Sequence, residues 1–333
     1  MHRKNPREHH CDVSQCINCG QCTKHCSFLT KYDIDISDTE KLEKLAYHCF
    51  LCGKCTEVCP MGIDGREIIL RMRQKQVQEQ GGKLKDKAYL GIVLEKGNYI
   101  FKNYRSAKKS NKAVFFPGCN FLGYYPKTCA YISQKLQEQG ISTVYDCCGK
   151  PIAELGLQNK EAKNIKNIEN TLAKQGVQEL VVACPNCYDF LKPKLRLKVR
   201  SIYDVLQEFG WGNPIEEAIT IFAPCSDREK HELYAQIRPF LKQEASFIEQ
   251  VQCCGLGGCA GIKERTLANI MSQSMKDIVG DSTLHVYCAT CAGKFSAQGI
   301  PNVVHVLPQI LGIEEVPQIK SAFINRALHL IKA

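Results

Sequence analysis

The sequence predicts a multidomain chain: a small α-helical domain, then two copies of one α/β domain with an open parallel sheet. Three observations predict it. The 333-residue length is enough for two or three hydrophobic cores. The 21 cysteines fall in three blocks, nine in residues 11–59, six in 119–187 and six in 225–291, with none between 59 and 119. The last two blocks also repeat in order. Cys119, Cys147 and Cys148 recur 106 residues later as Cys225, Cys253 and Cys254, and Cys184 and Cys187 recur 104 residues later as Cys288 and Cys291. The boundaries that follow are 1–82 for the helical domain, 83–112 for a linker, 113–212 for the first copy and 213–333 for the second.

In the first block Cys16-x2-Cys19-x2-Cys22-x3-Cys26 is followed by Cys49-x2-Cys52-x2-Cys55-x3-Cys59-Pro60. This is the spacing of a two-cluster ferredoxin. Three thiolates at short intervals wrap a tight loop round one [4Fe–4S] cube, and the fourth leads away to the other. By that rule one cubane cluster takes Cys16, Cys19, Cys22 and Cys59, and the other takes Cys49, Cys52, Cys55 and Cys26. Ser27 stands where proline often follows the first motif, which alters the turn and not the ligation. Zinc favours four ligands in paired CxxC units, a poorer match. Ser37-x2-Glu40 reads as a capping box leading into Leu42, Leu45 and Ala46, and Asp64-x2-Glu67 opens a second helix with Ile68, Ile69 and Met72 inward. That helix continues through the polar run Arg73–Gln80 and stops at Gly81-Gly82. The block thus resembles the helical ferredoxin domain of respiratory iron–sulfur subunits. A lysine-rich stretch, Lys108 to Lys112, closes the linker.

Each α/β copy reads Cys-x27-Cys-Cys-Gly and then Cys-x2-Cys. Short apolar runs lead into the cysteines: Ala113–Phe116, Thr143–Tyr145 and Leu180–Val182 in the first copy, then Ile219–Phe222, Ile248–Val251 and Leu284–Tyr287 in the second. The run Ile248–Val251 fits a buried strand least well. Pro126–Gln139 before Gly140 and Lys160–Lys174 before Gly176 read as helices, and Ile202–Leu206 matches Val303–Leu307. Strand–helix alternation predicts a Rossmann-like parallel sheet, with ligands beyond the carboxyl ends of its strands. All ten motif cysteines fall there. Gly149 and Gly255 let the chain turn after each cysteine pair, and Gly257, Gly258 and Gly261 let backbone approach a bound cofactor. Gly255-Leu256-Gly257 lacks the third glycine of a dinucleotide fingerprint, which argues against flavin or nicotinamide.

This pattern resembles the cysteine-rich (CCG) domain of heterodisulfide reductase. A ferredoxin module with two CCG copies, over residues 10–310, is similar to the D subunit of that enzyme. The same layout occurs in iron–sulfur subunits of glycolate oxidase, lactate-utilisation and anaerobic glycerol-3-phosphate dehydrogenase systems. The resemblance implies a noncubane [4Fe–4S] cluster in each copy. One would be held by Cys119, Cys147, Cys148, Cys184 and Cys187, the other by Cys225, Cys253, Cys254, Cys288 and Cys291. A structural zinc in one copy is the alternative. It also implies an iron–sulfur oxidoreductase subunit that passes electrons from the ferredoxin clusters to the noncubane pair and reduces a disulfide between them. No catalytic residue is implied beyond the cluster ligands. The competing expectation is a pure electron-transfer subunit between a flavoprotein dehydrogenase and a quinone or membrane cytochrome. The partners implied are a flavoprotein or ferredoxin electron donor and a membrane cytochrome or quinone.

The formal net charge is +10. Four loaded clusters at roughly −2 each would offset most of it, so no nucleic-acid partner is expected. Met1–Pro6 leads into no apolar stretch, and nothing resembles a run of about 18 apolar residues. The expectation is a cytoplasmic, reduced protein with no membrane span of its own, peripheral to the membrane only through a partner. Cys129 shares a helical face with Ile132 and Leu136 and reads as core. Cys259, in the glycine-rich loop, reads as a small buried residue with a functional role as the alternative, and Cys11, beside His9 and His10, as part of a frayed terminus. Lys192, Lys194, Arg196, Lys198 and Arg200 alternate at strand period. They read as a solvated face, with docking of an acidic partner as the alternative.

Overall fold

The computed structural model describes residues 9–107 and 112–332. Met1–Pro6, and all but Lys112 of the lysine-rich stretch from Lys108, lie outside these. The N-terminal block is helical. Its longest helix, Gly65–Glu79, starts where Asp64 Oδ1 accepts the Glu67 N–H at 3.0 Å, as expected, and ends before Gly81 (φ 64°) and Gly82 (φ 80°). The capping box at Ser37 does not form. Ser37 N and Oγ both bond to Asp35 Oδ1 at 2.7 Å, so helix Thr39–Lys44 begins after Asp38 with no side-chain cap. Local competition of this kind is what short polar side chains offer the backbone. The chain is also tied down from His9 onward, against the expected fraying: His10 N donates to Gly62 O at 3.0 Å and Asp64 N to His10 O at 2.7 Å.

The rest forms two four-stranded parallel sheets. The first has β1 (Ala113–Phe116), β2 (Ser142–Thr143), β3 (Glu179–Val182) and β4 (Lys198–Ser201) in the order β2-β1-β3-β4. The second has β5 (Thr220–Phe222), β6 (Ser246–Phe247), β7 (Leu284–Val286) and β8 (Val303–His305) in the order β6-β5-β7-β8. The matching order is the structural form of the sequence repeat. Central strands carry apolar residues on both faces because helices cover both; Val114, Phe115 and Phe116 are fully buried. Helices Pro126–Glu138 and Gln158–Lys174 fall where the sequence puts them, and Cys129 is in the core. Two strands shift. β6 ends before the run Ile248–Val251, whose Ile248 and Val251 still face the core, and Tyr145 leaves β2 to bridge Asn103.

Two segments outside the repeats complete the first one. Residues 83–112, expected as a linker, carry helix Leu90–Gly97 and the antiparallel bridge of Asn103 to Tyr145. The terminal helix Ala322–Lys332 belongs by sequence to the second copy but packs on helix Cys119–Tyr124 of the first, with Asn325 Nδ2 donating to Gly123 O at 2.8 Å. A Cβ on Gly123 would lie 3.1 Å from Ala322 O, so glycine eases this close approach.

Arg73 joins all three modules. Its guanidinium is fully buried and donates to Ala46 O (3.0 and 2.9 Å) and Cys49 O (2.7 Å) in the helical block, Glu154 O (2.6 Å) in the first repeat and Gly258 O (2.7 Å) in the second. Replacing it with methionine strands several buried carbonyls, each costing roughly 1–3 kcal/mol. We expect Arg73→Met to lower stability by on the order of 3 kcal/mol or more, measured as a shift in the thermal unfolding midpoint. Protease sensitivity should rise between the modules. Arg71→Met, on the exposed side of the same helix, should change neither.

Candidate metal centres

Four thiol sets can be traced from the surface inward. Cys16, Cys19, Cys22 and Cys59 line one pocket with Ile17, Pro60 and Met61, so Cys59 lies beside the first motif's three leading cysteines. Gly20 (φ 67°) turns the chain into helix Gln21–His25, and Gly53 (φ 76°) does the same for helix Lys54–Val58. This set reaches solvent: Cys19 is exposed, Ile17 is 59% exposed and Met61 38%. Behind it Cys26, Cys49, Cys52 and Cys55 are all buried and act electrostatically on one another. A Cβ on Gly65 would lie 2.7 Å from Cys55 Sγ and 2.6 Å from Ile36 Cδ1, so a larger residue at this helix start would push those side chains aside.

The ten remaining motif cysteines gather into two sets of five beyond the strand ends, where the strand order reverses between the neighbours β1 and β3, or β5 and β7. Cys119 Sγ is 4.0 Å from Cys147 Sγ, and its counterpart Cys225 is 3.7 Å from Cys253. Cys148 bonds with Cys147 and Cys187, and Cys187 with Cys184. The second set links Cys253, Cys254, Cys291 and Cys288 in the same pattern. Gly149 (φ 85°) and Gly255 (φ 82°) make the turn after each pair, as expected.

Among the described residues, no three His, Cys, Asp or Glu side chains close round a point fit for one metal ion. The donors instead form sets of four and five thiols, most of them buried, that are not paired as disulfides. Soft thiolates in such numbers suit iron–sulfur clusters.

The motif families agree with this chemistry. Residues 12–63 match the 4Fe–4S dicluster domain, and residues 113–192 and 219–314 match the cysteine-rich domain, together more than half of the chain. The chain belongs to the CCG cysteine-rich family. With its ferredoxin module it falls with the iron–sulfur proteins of that family that are like the D subunit of heterodisulfide reductase. An iron–sulfur protein of Methanocaldococcus jannaschii is 26% identical over 84% of this chain and 66% of its own length. The D subunit of the dihydromethanophenazine:CoB–CoM heterodisulfide reductase of Methanosarcina barkeri is 22% identical over 84% of this chain and 87% of that protein. The B subunit of the fumarate reductase (CoM/CoB) of Methanothermobacter marburgensis is 24% identical over 74% of this chain and 59% of that protein. This chain therefore spans about two thirds or less of the first and third.

The two CCG sites differ in what surrounds them. At the second, the ferredoxin module arrives directly. The Cys253 thiol nearby lowers the pKa of Cys52 against the pull of burial. Gln252 Nε2 donates to Cys26 Sγ and Cys52 Sγ, both at 3.4 Å, while its Oε1 accepts from Ser27 N at 2.7 Å. Arg228, half-buried, lies near Cys225, Cys52 and Cys253. At the first site Lys96 Nζ lies 3.5 Å from Cys119 Sγ, and although burial works against its charge, Cys119 and Cys147 hold its pKa up. The two sites face each other, since Asn186 Nδ2 is 3.5 Å from Cys288 Sγ and Asn120 Nδ2 donates to Thr290 at 2.7 Å.

Two expectations change. A Cβ on Gly257 would lie 2.5 Å from Phe50 O and one on Gly258 2.6 Å from Cys49 O, so these glycines admit the ferredoxin backbone. Gly261 has no such close neighbour across the interface. The basic run is not one charged face either. Lys192 pairs with Glu232, Lys194 with Glu161, Lys198 with Glu179, and Arg200 with Glu179, Asp204 and Glu208. Cys259 packs against the small cluster of Val77, Tyr89, Ile152, Leu155 and Leu157, and burial pushes its thiol up to about 12. Gln252, Arg228, Arg73 and Lys96 have no spacing signal in the sequence; the residue before each cysteine pair was the one place to look.

Gly258→Val should part the ferredoxin module from the second CCG site while leaving both thiol sets intact. We expect normal iron content after anaerobic reconstitution, with electron transfer between the two slowed by at least tenfold in freeze-quench EPR.

Proposed function

We propose that this chain is an iron–sulfur oxidoreductase subunit in which electrons enter at the ferredoxin module and leave at the first CCG site, where a disulfide is reduced. The observation that carries this is the contact of Gln252, the residue before Cys253, with Cys52 at 3.4 Å, which joins the inner ferredoxin set to the second CCG set. The exposed set of Cys16, Cys19, Cys22 and Cys59 comes first, then Cys26, Cys49, Cys52 and Cys55, then the set from Cys225 to Cys291, and last the set from Cys119 to Cys187. The reading takes the first two as holding cubane clusters and the five-thiol sets as holding noncubane ones, since a cube needs only four thiolates. Clusters bound there supply one-electron transfer over short distances.

The chain's own residues do the rest. Ile17 and Met61 offer an apolar collar round the exposed set, where a flavoprotein or ferredoxin donor would dock. Gln252 fixes the distance between the ferredoxin module and the second repeat. Arg228 and Lys96 place fixed positive charge beside buried thiolates, which lowers the cost of their ionisation. Cleaving one S–S bond takes two electrons from the donor and two protons from solvent and yields two thiols. The D subunit of heterodisulfide reductase, by its name, serves a disulfide substrate, which supports the same class here.

The test is anaerobic reconstitution with iron and sulfide counts, EPR, and thiol release from an added disulfide. About sixteen irons and two thiols per disulfide are expected. Cys253→Ser with Cys254→Ser should keep the ferredoxin signals and lose thiol release. About eight irons would contradict four loaded sites, and full loading without thiol release would favour a relay to a quinone or cytochrome.

A further inference from the structure

Large apolar side chains left at a protein surface are usually scattered singly, and a contiguous patch of them marks a site of interaction. Fifteen are exposed among the described residues, and seven of these lie in the two segments that complete the first repeat, residues 83–107 and 319–328. The two segments touch. The Phe101 ring packs on the Phe323 ring at 5.0 Å, and Arg326 Nη2 reaches Glu95 at 3.3 Å. Helical spacing sorts their outer faces. Lys87, Leu90 and Leu94 fall three and four residues apart along the single turn Lys87–Tyr89 and the helix Leu90–Gly97 that continues it. Lys320 stands just before the terminal helix, whose Ile324 and Leu328 share one face. Between the helices the exposure alternates, with Tyr99 and Phe101 buried and Ile100 and Lys102 exposed.

The exposed charge beside this patch has one sign. Between residues 83 and 105 the exposed charged side chains are Lys83, Lys85, Lys87, Lys102 and Arg105. The two acids of that stretch are half-buried and engaged, Asp86 with Lys263 and Glu95 with Lys96 and Arg326. Protein–protein interfaces are depleted of lysine. Apolar side chains bordered by lysines instead match an anionic bilayer, whose headgroups attract the ammonium groups while its acyl boundary takes the apolar tips. No helix among the described residues is long and apolar enough to cross a membrane, so the contact this surface offers is in the plane of the headgroups.

We propose that this face docks directly on an anionic lipid bilayer, with Leu90, Leu94, Ile100, Phe323, Ile324 and Leu328 entering the headgroup layer and the neighbouring lysines lying against the lipid charge. The attachment is made by the chain's own side chains and needs no partner subunit. It goes beyond the relay reading and does not rest on it. It also selects which thiol set faces the membrane. Tyr99 and Phe101 form a small buried cluster with Cys147, and Cys119 and Ala327 pack against it. One layer of side chains therefore separates the lipid-facing surface from the first CCG set.

The test is flotation of the full, cluster-loaded protein with vesicles of phosphatidylcholine alone or of phosphatidylcholine with about a quarter phosphatidylglycerol, at ~0.1 M salt. Binding to the anionic vesicles is expected, at least tenfold tighter than to phosphatidylcholine alone. Leu94→Ser with Ile324→Ser should weaken it at least tenfold, and so should Lys87→Glu with Lys320→Glu. Lys41→Glu with Lys276→Glu, the same charge change elsewhere, should stay within twofold of normal. All six residues are exposed, so iron content and circular dichroism should not change. The proposal is overturned if the unmodified protein does not float or if the serine pair floats as well as it does. It is also overturned if the control pair loses as much binding as Lys87→Glu with Lys320→Glu, because net charge alone would then account for it. A dimer in analytical ultracentrifugation that the serine pair splits would give the face to a second copy and overturn it too.

Discussion

Arg73 spends its whole donor set on main-chain carbonyls of three modules, and most of what is distinctive in this molecule follows from that. A guanidinium keeps its charge when buried, and it is the side chain whose planar fork can serve several carbonyls at once. By gathering Cys49 O and Gly258 O on one group, it presses the second ferredoxin motif against the glycine loop of the second repeat. Gly257 and Gly258 permit that approach because no Cβ stands in the way. The contact between Cys52 and Cys253 is then a consequence of packing and needs no further device to hold it.

The same constraint makes the duplicated repeats unequal. A gene-level copy would give two equivalent sites, yet only one can receive the ferredoxin module. The second is closed over by it. The first is completed by residues 83–107 and by the terminal helix, which bring Lys96 and Arg326 near Cys119. The two sets of five thiols therefore sit in different fields, a fixed guanidinium at Arg228 and an ammonium at Lys96. Local charge of this kind shifts the balance between protonation states, and by the same logic between redox states.

Much of this was legible in the residue order. Thiols that must share a cluster have to recur at short, fixed spacing, so Cys16 to Cys59 and the two five-cysteine patterns announce themselves. Strands buried on both faces are written as apolar runs, and β1, β3, β5 and β7 were readable for that reason. What was hidden has a common cause: it depends on contacts between modules. Gly257 and Gly258 look like a cofactor loop until Phe50 is seen against them. Arg73 looks like one more polar residue in an Arg-Gln-Lys-Gln run, although its side chain is fully buried. The segment 83–112 looks like a linker because its packing partners lie in Asn164, Tyr145 and Asp146, far along the sequence. β8 was visible only as part of the tail Val303–Leu307, whose counterpart Ile202–Leu206 is helical, and β4 only as a basic run alternating at strand period.

The central claim is the order of the four sites, with the ferredoxin module joined to the second repeat. A crystal structure of the anaerobically loaded protein, with iron located by anomalous scattering, measures that order directly. The account predicts four iron sites in a line, with the group beside Cys52 nearest the group beside Cys253 and the group beside Cys147 at the far end. Iron beside Cys52 that lies nearer to Cys147 than to Cys253, or cysteine sets in the two repeats that hold no iron, would contradict it.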